Sequence, residues 1–330
     1  MRRRDLLSLL ARGAVYSPLA AFAQQSEQLR QVAVLIGLSE SDPEAPSRVQ
    51  AFQQGLEALG WVDRRNIQVT YRLAAEEQQL RSAAQELVAL RPDVLVAGSS
   101  IIVAALLRET RTIPIVFATA SDPVGDGFVA SLARPGGNAT GFTNSNATMG
   151  GKWLELIREV APGVTRAAIL FNRETAPSGG VYFLQAIESA AASVGLRTVP
   201  TPVREPGQIE NAFREIAREP GGSLIVLPDH FTTVHRGQII AQAAQHRLPA
   251  VYPFRYFATE GGLMAYGADL VDLYRRTGSY VDRILRGARP GELPVQAPAK
   301  FDLVINLRAA RQSGLTISRL LRARADEVIE

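Results

Sequence analysis

Short runs of apolar, often β-branched residues alternate along the chain with longer stretches in which apolar residues recur every three or four positions. The short runs lack strict apolar–polar alternation, which is typical of strands covered on both faces of a parallel sheet. The longer stretches have the period of amphipathic helices. The predicted strands are 32–36, 67–71, 94–97, 115–118, 167–171, 224–227, 250–252 and 301–305, and the predicted helices include 49–59, 78–90, 181–194, 236–246 and 271–285.

The order of these elements predicts an α/β fold with two Rossmann-like lobes, each with a parallel sheet, joined by a multi-strand hinge. The 330 residues exceed what one hydrophobic core usually organises. The polar stretch 143–151 is expected to be the first crossover between the lobes, and the glycine-flanked stretch 261–267 is expected to be a return. The expected lobes are 24–144 plus roughly 264–290, and 145–263 plus roughly 291–330.

The N-terminus predicts export. Arginines at 2–4 precede an apolar stretch at 6–15, and an A-x-A sequence follows at 21–23. This order is typical of a signal peptide, here residues 1–23. Arg3 and Arg4, followed by Asp5, Leu6 and Leu7, also resemble a twin-arginine export signal. The apolar stretch is too short to span a bilayer, and no later segment is long enough either. A periplasmic protein is therefore predicted; the alternative is an amphipathic N-terminal helix of a cytosolic protein.

Composition and charge remove several classes of function. The net charge of +4 comes from 36 basic and 32 acidic residues spread along the chain, so a nucleic-acid site is not predicted. The absence of cysteine excludes disulfides, thiolate nucleophiles and cysteine metal sites. Among the three histidines, His230 and His235 are off the spacing of two metal ligands on a helix. No nucleophile elbow, Walker A loop, dinucleotide fingerprint or zincin motif occurs, so neither catalysis nor a cofactor or metal is predicted.

Polar residues follow the predicted strands of the first lobe, where parallel sheets bind ligands. Ser99 and Ser100 separate a strand from a helix and are suited either to a carboxylate ligand or to helix capping. Ser121 and Asp122 follow the next strand, and Asp122 is also a candidate helix cap.

In the second lobe, Asn172 and Asp229 come directly after apolar strands. A carboxylate at this position is well placed to bind an ammonium group, while the helix N-terminus of the other lobe binds a carboxylate. The two sites together predict a zwitterionic ligand.

A group of aromatic residues follows the strand at 250–252 and is expected to form the apolar wall of the pocket, or else a small core beneath a loop. The candidates are Tyr252, Phe254, Tyr256 and Phe257, with Tyr266 as a further wall residue. Asp269 precedes a predicted helix, so capping is its first role and ligand contact its second.

Several segments, in order, resemble the substrate-binding proteins of ABC transporters, in the subgroup with tryptophan- and tyrosine-binding members. The similar segments are 91–98, 113–117, 122–125, 132–138, 261–267, 293–295, 305–310 and 325–330. The resemblance implies a type I periplasmic-binding fold, lobe closure on a small ligand and docking onto an inner-membrane ABC permease with its ATPase, and it implies no catalysis. The resemblance also adds two expected ligand-binding regions, the loop 37–41 with Ser39 and the segment 266–269. The protein is expected to be a monomer.

Two other functions are compatible with the same residues. A sensory binding protein would present its ligand to a receptor instead of a permease, with the same fold and cleft. An exported α/β enzyme would use Asp229 or Asp122 as a general base, but no nucleophile or metal partner accompanies either residue in the sequence.

Overall fold

The computed structural model describes residues 29–330, and the predicted signal peptide lies outside this range. The strands are Arg30–Ile36 (β1), Ile67–Leu73 (β2), Val94–Ala97 (β3), Ile115–Ala120 (β4), Ala139–Thr143 (β5), Arg166–Phe171 (β6), Arg197–Pro202 (β7), Gly222–Val226 (β8), Ala250–Tyr252 (β9), Met264–Gly267 (β10), Asp302–Asn306 (β11) and Glu327–Ile329 (β12). The helices are Glu44–Glu57 (α1), Glu77–Ala89 (α2), Ser100–Glu109 (α3), Met149–Val160 (α4), Val181–Val194 (α5), Gly207–Ala217 (α6), His230–Val234 (α7), Arg236–Gln245 (α8), Arg255–Thr259 (α9), Leu270–Leu285 (α10), Leu307–Gln312 (α11) and Arg319–Arg324 (α12).

The strands form two sheets, one in each lobe. The first is entirely parallel, in the order β2-β1-β3-β4-β5. The second has the order β12-β11-β10-β9-β8-β6-β7 and is parallel except between β10 and β11. Central strands such as β3 and β4 are buried along their whole length, because helices cover both faces of the sheet. The predicted two-lobed α/β fold is therefore confirmed.

The chain crosses between the lobes three times: between β5 and α4, between β10 and α10, and between α10 and β11. Helix α10 packs on α1 of the first lobe, so it covers a sheet whose strands lie far earlier in the sequence. The three crossing segments form the hinge.

The expected lobe boundaries need two corrections. Residues 264–267 were expected in the first lobe, but they form β10 of the second sheet, and the crossing comes only after that strand. Residues 291–296 were expected in the second lobe, but Val295 and Gln296 donate backbone hydrogen bonds to the first lobe, to Leu132 and Gly141 at 2.7 and 3.0 Å. The chain returns to the second lobe after these residues.

Helices α1 and α10 meet at glycines. A Cβ atom on Gly55 of α1 would lie 2.0 Å from the carbonyl oxygen of Arg275 in α10, and one on Gly278 would lie 2.7 Å from the backbone of Gly55. The two helix backbones therefore touch directly, which only glycine permits.

None of the helices between residues 29 and 330 is both long enough and apolar enough to cross a membrane.

Candidate functional site

A cavity lies between the lobes, where the carboxyl ends of the two sheets face each other. Its lining comes from the segments that follow β1, β3, β4 and β5 in one lobe and β6, β8 and β9 in the other, together with the first residue of α10. The lining residues are Gly37, Arg48, Gly98, Ser99, Ser100, Ile101, Thr119, Ser121, Asn144, Thr175, Pro177, Pro228, Asp229, His230, Thr233, Phe254, Tyr256 and Leu270.

The serines of the first lobe border the cavity as expected. Ser99 precedes α3 in an extended conformation, and its buried hydroxyl has no hydrogen-bond partner among the described residues. The Ser100 hydroxyl accepts from the Ser121 backbone, and the Ser121 hydroxyl donates to Asn144 Oδ1 at 2.9 Å. This wall therefore presents a free hydroxyl beside a helix N-terminus, where hydrogen-bond donors are available to an anion.

Asp122 does not border this cavity, although it was expected to. Its carboxylate accepts from Ser178 Oγ of the second lobe at 2.7 Å and from the Gly125 backbone at 2.9 Å. The Ser178 backbone also donates to Asp126 at 2.7 Å. The turn after β4 is therefore a contact between the lobes.

Asp229 borders the cavity from the second lobe and caps α7. Its carboxylate accepts from the backbones of Thr232 and Asn172 at 2.7 and 2.9 Å and from Thr175 Oγ1 at 3.3 Å. In the described part of the chain its partners are neutral groups, and no cationic side chain is among them. Burial raises the pKa of Asp229 to about 6, while the hydrogen bonds act in the opposite direction.

Asn172 supports Asp229 instead of reaching the cavity. Its amide side chain donates to the Arg204 carbonyl at 3.2 Å and accepts from the Glu174 backbone at 2.8 Å. Its backbone N–H holds the Asp229 carboxylate. Asn172 therefore fixes the orientation of that carboxylate and is not placed to contact a ligand.

The aromatic candidates divide between the wall of the cavity and the core. Phe254 and Tyr256 border the cavity. Tyr252 is 1 % exposed and stacks on Phe257, with ring centroids 5.0 Å apart. Tyr266 packs against Phe301 at 5.9 Å. Tyr252 and Tyr266 were expected in the pocket, but neither borders it, because both are taken up by packing within the second lobe.

Two further candidates lie outside the cavity. Asp269 caps α10 and accepts from the backbones of Val271 and Asp272 at 2.9 and 3.1 Å. Ser39 is exposed, and its hydroxyl contacts that of Ser41. These hydrogen bonds show that Asp269 caps the helix, which was the first of the two roles expected for it.

Arg48 is a cavity residue that the sequence analysis missed. It lies on α1, is 5 % exposed, and has its guanidinium 5.7 and 5.8 Å from the ring centroids of Tyr256 and Tyr274. Its Nε and Nη2 atoms have no hydrogen-bond partner among the described residues. Burial acts to lower the pKa of Arg48, but the two tyrosines and Glu44 outweigh burial and raise it. The cavity therefore contains a permanent positive charge.

Direct contacts hold the lobes together around the cavity. Arg236 of the second lobe donates from both Nη atoms to the Asp42 carboxylate of the first, at 2.7 and 2.9 Å, and from Nε to Glu260 at 2.9 Å. Burial alone would raise the pKa of Asp42, but Arg236 lowers it below its ordinary value. His230 Nε2 lies 2.6 Å from the Ala75 carbonyl oxygen of the first lobe. The structure is therefore a closed form.

Two parallel-sheet lobes that enclose a polar cavity across a three-segment hinge define the type I periplasmic-binding fold. The family model described as ABC transporter substrate binding protein matches residues 31–329, and the chain belongs to this family. The family predicted from the sequence is confirmed.

The chain is similar to several known proteins. A tyrosine-binding protein of Clostridioides difficile (strain R20291) is 24 % identical over 301 residues, which cover 88 % of this chain and 85 % of that protein. A conserved domain protein from Vibrio cholerae O1 biovar El Tor str. N16961 is 29 % identical, with a TM-score of 0.83 over 91 % of this chain and all of that one. The L-Trp complex of an ABC domain from Streptococcus pneumonia is 22 % identical and has a TM-score of 0.84 over 91 % of this chain and all of that one, which shows a common fold.

Proposed function

We propose that this chain is the extracytoplasmic solute-binding component of an ABC importer that captures an amino-acid-like zwitterion with an apolar or aromatic group. The lobes close on the ligand, and the closed complex docks on an inner-membrane permease. The protein binds its ligand without transforming it. Export through the signal peptide at 1–23 places it in the periplasm.

The observation that carries this proposal is the buried carboxylate of Asp229, which borders the cavity and has no cationic partner among the described residues. The carboxylate has about four acceptor positions, of which the three hydrogen bonds occupy three. The remaining position, on Oδ2, suits an ammonium donor, which would also supply the missing positive charge. A bound ammonium would therefore stabilise a group whose desolvation is only partly compensated by the protein.

The other walls of the cavity suit the rest of such a ligand. Ser99 offers a free hydroxyl at the start of α3, and Phe254 and Tyr256 offer aromatic surface. The names of two similar proteins, one a tyrosine-binding protein and one crystallised with L-Trp, support an amino acid with an aromatic side chain.

A thermal-shift screen of protein purified from the periplasm of an expressing host tests this proposal. The panel contains amino acids, sugars, polyamines and aromatic acids, and a mass measurement on the same sample reads whether the chain begins at Gln24. A ligand at 100 times its dissociation constant adds about 2.7 kcal/mol to the free energy of unfolding. We expect aromatic amino acids to give the largest shifts. Shifts with sugars alone would refute the zwitterion proposal.

The variants Asp229→Ala and Asp269→Ala separate binding from capping. Both remove an aspartate that caps a helix, which costs about 1 kcal/mol of stability. Only Asp229 borders the cavity. We expect Asp229→Ala to weaken binding of the best amino acid by on the order of 2–5 kcal/mol, because the ligand ammonium loses its partner. Asp269→Ala should bind normally, and equal affinities for the two variants would contradict the proposed ammonium site.

A further inference from the structure

The guanidinium of Arg48 is an unusual group to leave in this cavity. Arginine side chains are rarely buried unless they are paired. Arg236, by contrast, is equally buried and directs both edges of its guanidinium at carboxylates, those of Asp42 and Glu260. Arg48 lies near the rings of Tyr256 and Tyr274, but its Nε and Nη2 atoms have no partner and it forms no ion pair within 4 Å among the described residues. Glu44 acts on this charge from a greater distance, so the guanidinium is buried without a carboxylate in direct contact.

The two unpartnered atoms of Arg48 belong to one edge of the guanidinium. The Nε–H and one N–H of Nη2 point in the same direction and form the fork that binds a carboxylate through two parallel hydrogen bonds. The guanidinium carbon lies 5.7 and 5.8 Å from the ring centroids of Tyr256 and Tyr274, and neither Nε nor Nη2 has a hydrogen-bond partner in the described part of the chain. Because Tyr274 lies on α10 and Tyr256 on α9, elements of both lobes hold Arg48 in position.

We infer that Arg48 binds the carboxylate of the ligand through its Nε–Nη2 edge, assisted by the free hydroxyl of Ser99. This inference rests on the proposed function and deepens it, since it makes the carboxylate a required part of the ligand. The cavity then holds opposite charges for a zwitterion: Arg48 for the carboxylate and Asp229 for the ammonium. Compounds that lack either charge leave one of these buried groups without a partner.

Three related compounds separate the two subsites: L-tyrosine, which has both charges; tyramine, which lacks the carboxylate; and 3-(4-hydroxyphenyl)propionate, which lacks the ammonium. The same set is built on tryptophan. Dissociation constants are measured by calorimetry for the wild type, Arg48→Met and the control Arg255→Met. Arg255 is an arginine of the second lobe whose carboxylate partner, Glu327, lies in the same lobe and outside the cavity.

The wild type is expected to bind the amino acid at least about 30-fold more tightly than the amine, because a buried charge pair is lost in the amine. In Arg48→Met this preference should fall to a few-fold, while Arg255→Met should keep it. Arg48→Lys, which keeps the charge without the fork, should give an intermediate preference. An Arg48→Met protein that retains the wild-type preference overturns the inference.

The outcomes distinguish this inference from the proposed function. Equal binding of amine and amino acid by the wild type overturns the role of Arg48 and leaves the ammonium site of Asp229 standing. Binding of the propionate alone, lost in Arg48→Met, supports Arg48 and overturns the zwitterion. Failure of all six compounds overturns both. Unfolding of the ligand-free variants controls for folding: because the two tyrosines and Glu44 stabilise the charge of Arg48, we expect Arg48→Met to melt below the wild type, and all dissociation constants are measured at a temperature at which every variant is folded.

Discussion

Asp229 combines two roles at one residue. It caps α7 and ties the end of β6 to the loop after β8, and it presents a carboxylate to the cavity. Because the folded pKa of about 6 is above the ordinary value of 3.8, the folded state binds the proton more tightly than the unfolded chain. At this group, ligand-free stability is therefore greatest below pH 3.8 and is lost as the pH rises through 6.

This pKa predicts that ligand binding depends on pH. An ammonium ligand binds the ionised carboxylate, whose population falls about tenfold between pH 7 and pH 5, and the charges of the amino acid itself do not change in this range. We expect the affinity for an aromatic amino acid to be about tenfold lower at pH 5 than at pH 7.5, measured by calorimetry.

Asp229→Asn is the control for this pH dependence. It should bind weakly at both pH values with little change between them. His230 and His235 also have pKa values lowered by burial, so a dependence that persists in the variant would assign the effect to these histidines instead.

The cavity residues that follow strands could be predicted from the sequence, whereas Arg48, which lies on a helix face, was not predicted. Ser99, Ser121 and Asp229 border the cavity because the carboxyl ends of parallel strands meet there. Arg48 was missed because the predicted helix began at residue 49, whereas α1 begins at Glu44. With the correct start, the spacing of Ala45, Arg48 and Phe52 would have indicated an arginine on the buried face.

At the scale of elements, the contact between α1 and α10 joins the first lobe to a helix that comes from the hinge. The closeness of the helices depends on Gly55, since a Cβ there would overlap the backbone of α10. Alanine would raise the helix propensity of α1, but the overlap is with backbone atoms and cannot be relieved by a side-chain rotation.

We therefore expect Gly55→Ala to lower the free energy of unfolding by about 1–3 kcal/mol. The matched substitution is Gly237→Ala in α8, where a Cβ has nothing within 4 Å. It should raise the free energy of unfolding by about 1 kcal/mol, as alanine does in an exposed helix. Denaturant unfolding of both variants measures the difference, and a Gly55→Ala protein as stable as the wild type would mean that the helices can separate without cost.

Two of the strands that the sequence did not predict, β5 and β7, contain residues that disfavour strands. Strand β7 contains Pro200 and Pro202, which argue against a strand, but it is the edge of its sheet, where proline is tolerated. Strand β5 contains Gly141, whose backbone lies so close to Phe117 that a Cβ would be 2.0 Å from its carbonyl oxygen. Neither position in the sheet can be deduced from the local sequence.

At the scale of the whole molecule, the closed form is held by contacts that do not involve a ligand. The buried pair between Asp42 and Arg236 and the hydrogen bonds of Ser178 with Asp122 and Asp126 all join the lobes. Such contacts shift the equilibrium toward closure before the ligand binds, and so they raise its affinity.

The variant Asp42→Asn tests this contribution. It removes the charge facing Arg236, which stays paired with Glu260, and keeps the side-chain oxygen that accepts from the Glu44 backbone. We expect a larger radius of gyration for the ligand-free protein in small-angle scattering and faster ligand dissociation, because the open form gains population.

Glu327→Gln is the comparison. It weakens an ion pair with Arg255 that lies wholly within the second lobe, so scattering and dissociation should match the wild type. If Asp42→Asn also matches the wild type, the ligand alone determines closure.

The threading of the hinge has a consequence for the order in which the chain is made. The five strands of the first lobe are complete by Thr143, but one of the helices that cover them, α10, is synthesised after most of the second lobe, and β11 comes later still. Neither lobe is therefore a contiguous folding unit that could finish while the ribosome is still translating the other. A nascent chain must keep its early apolar strands protected until residues near its C-terminus emerge, and a truncation before Leu270 would leave both lobes unfinished.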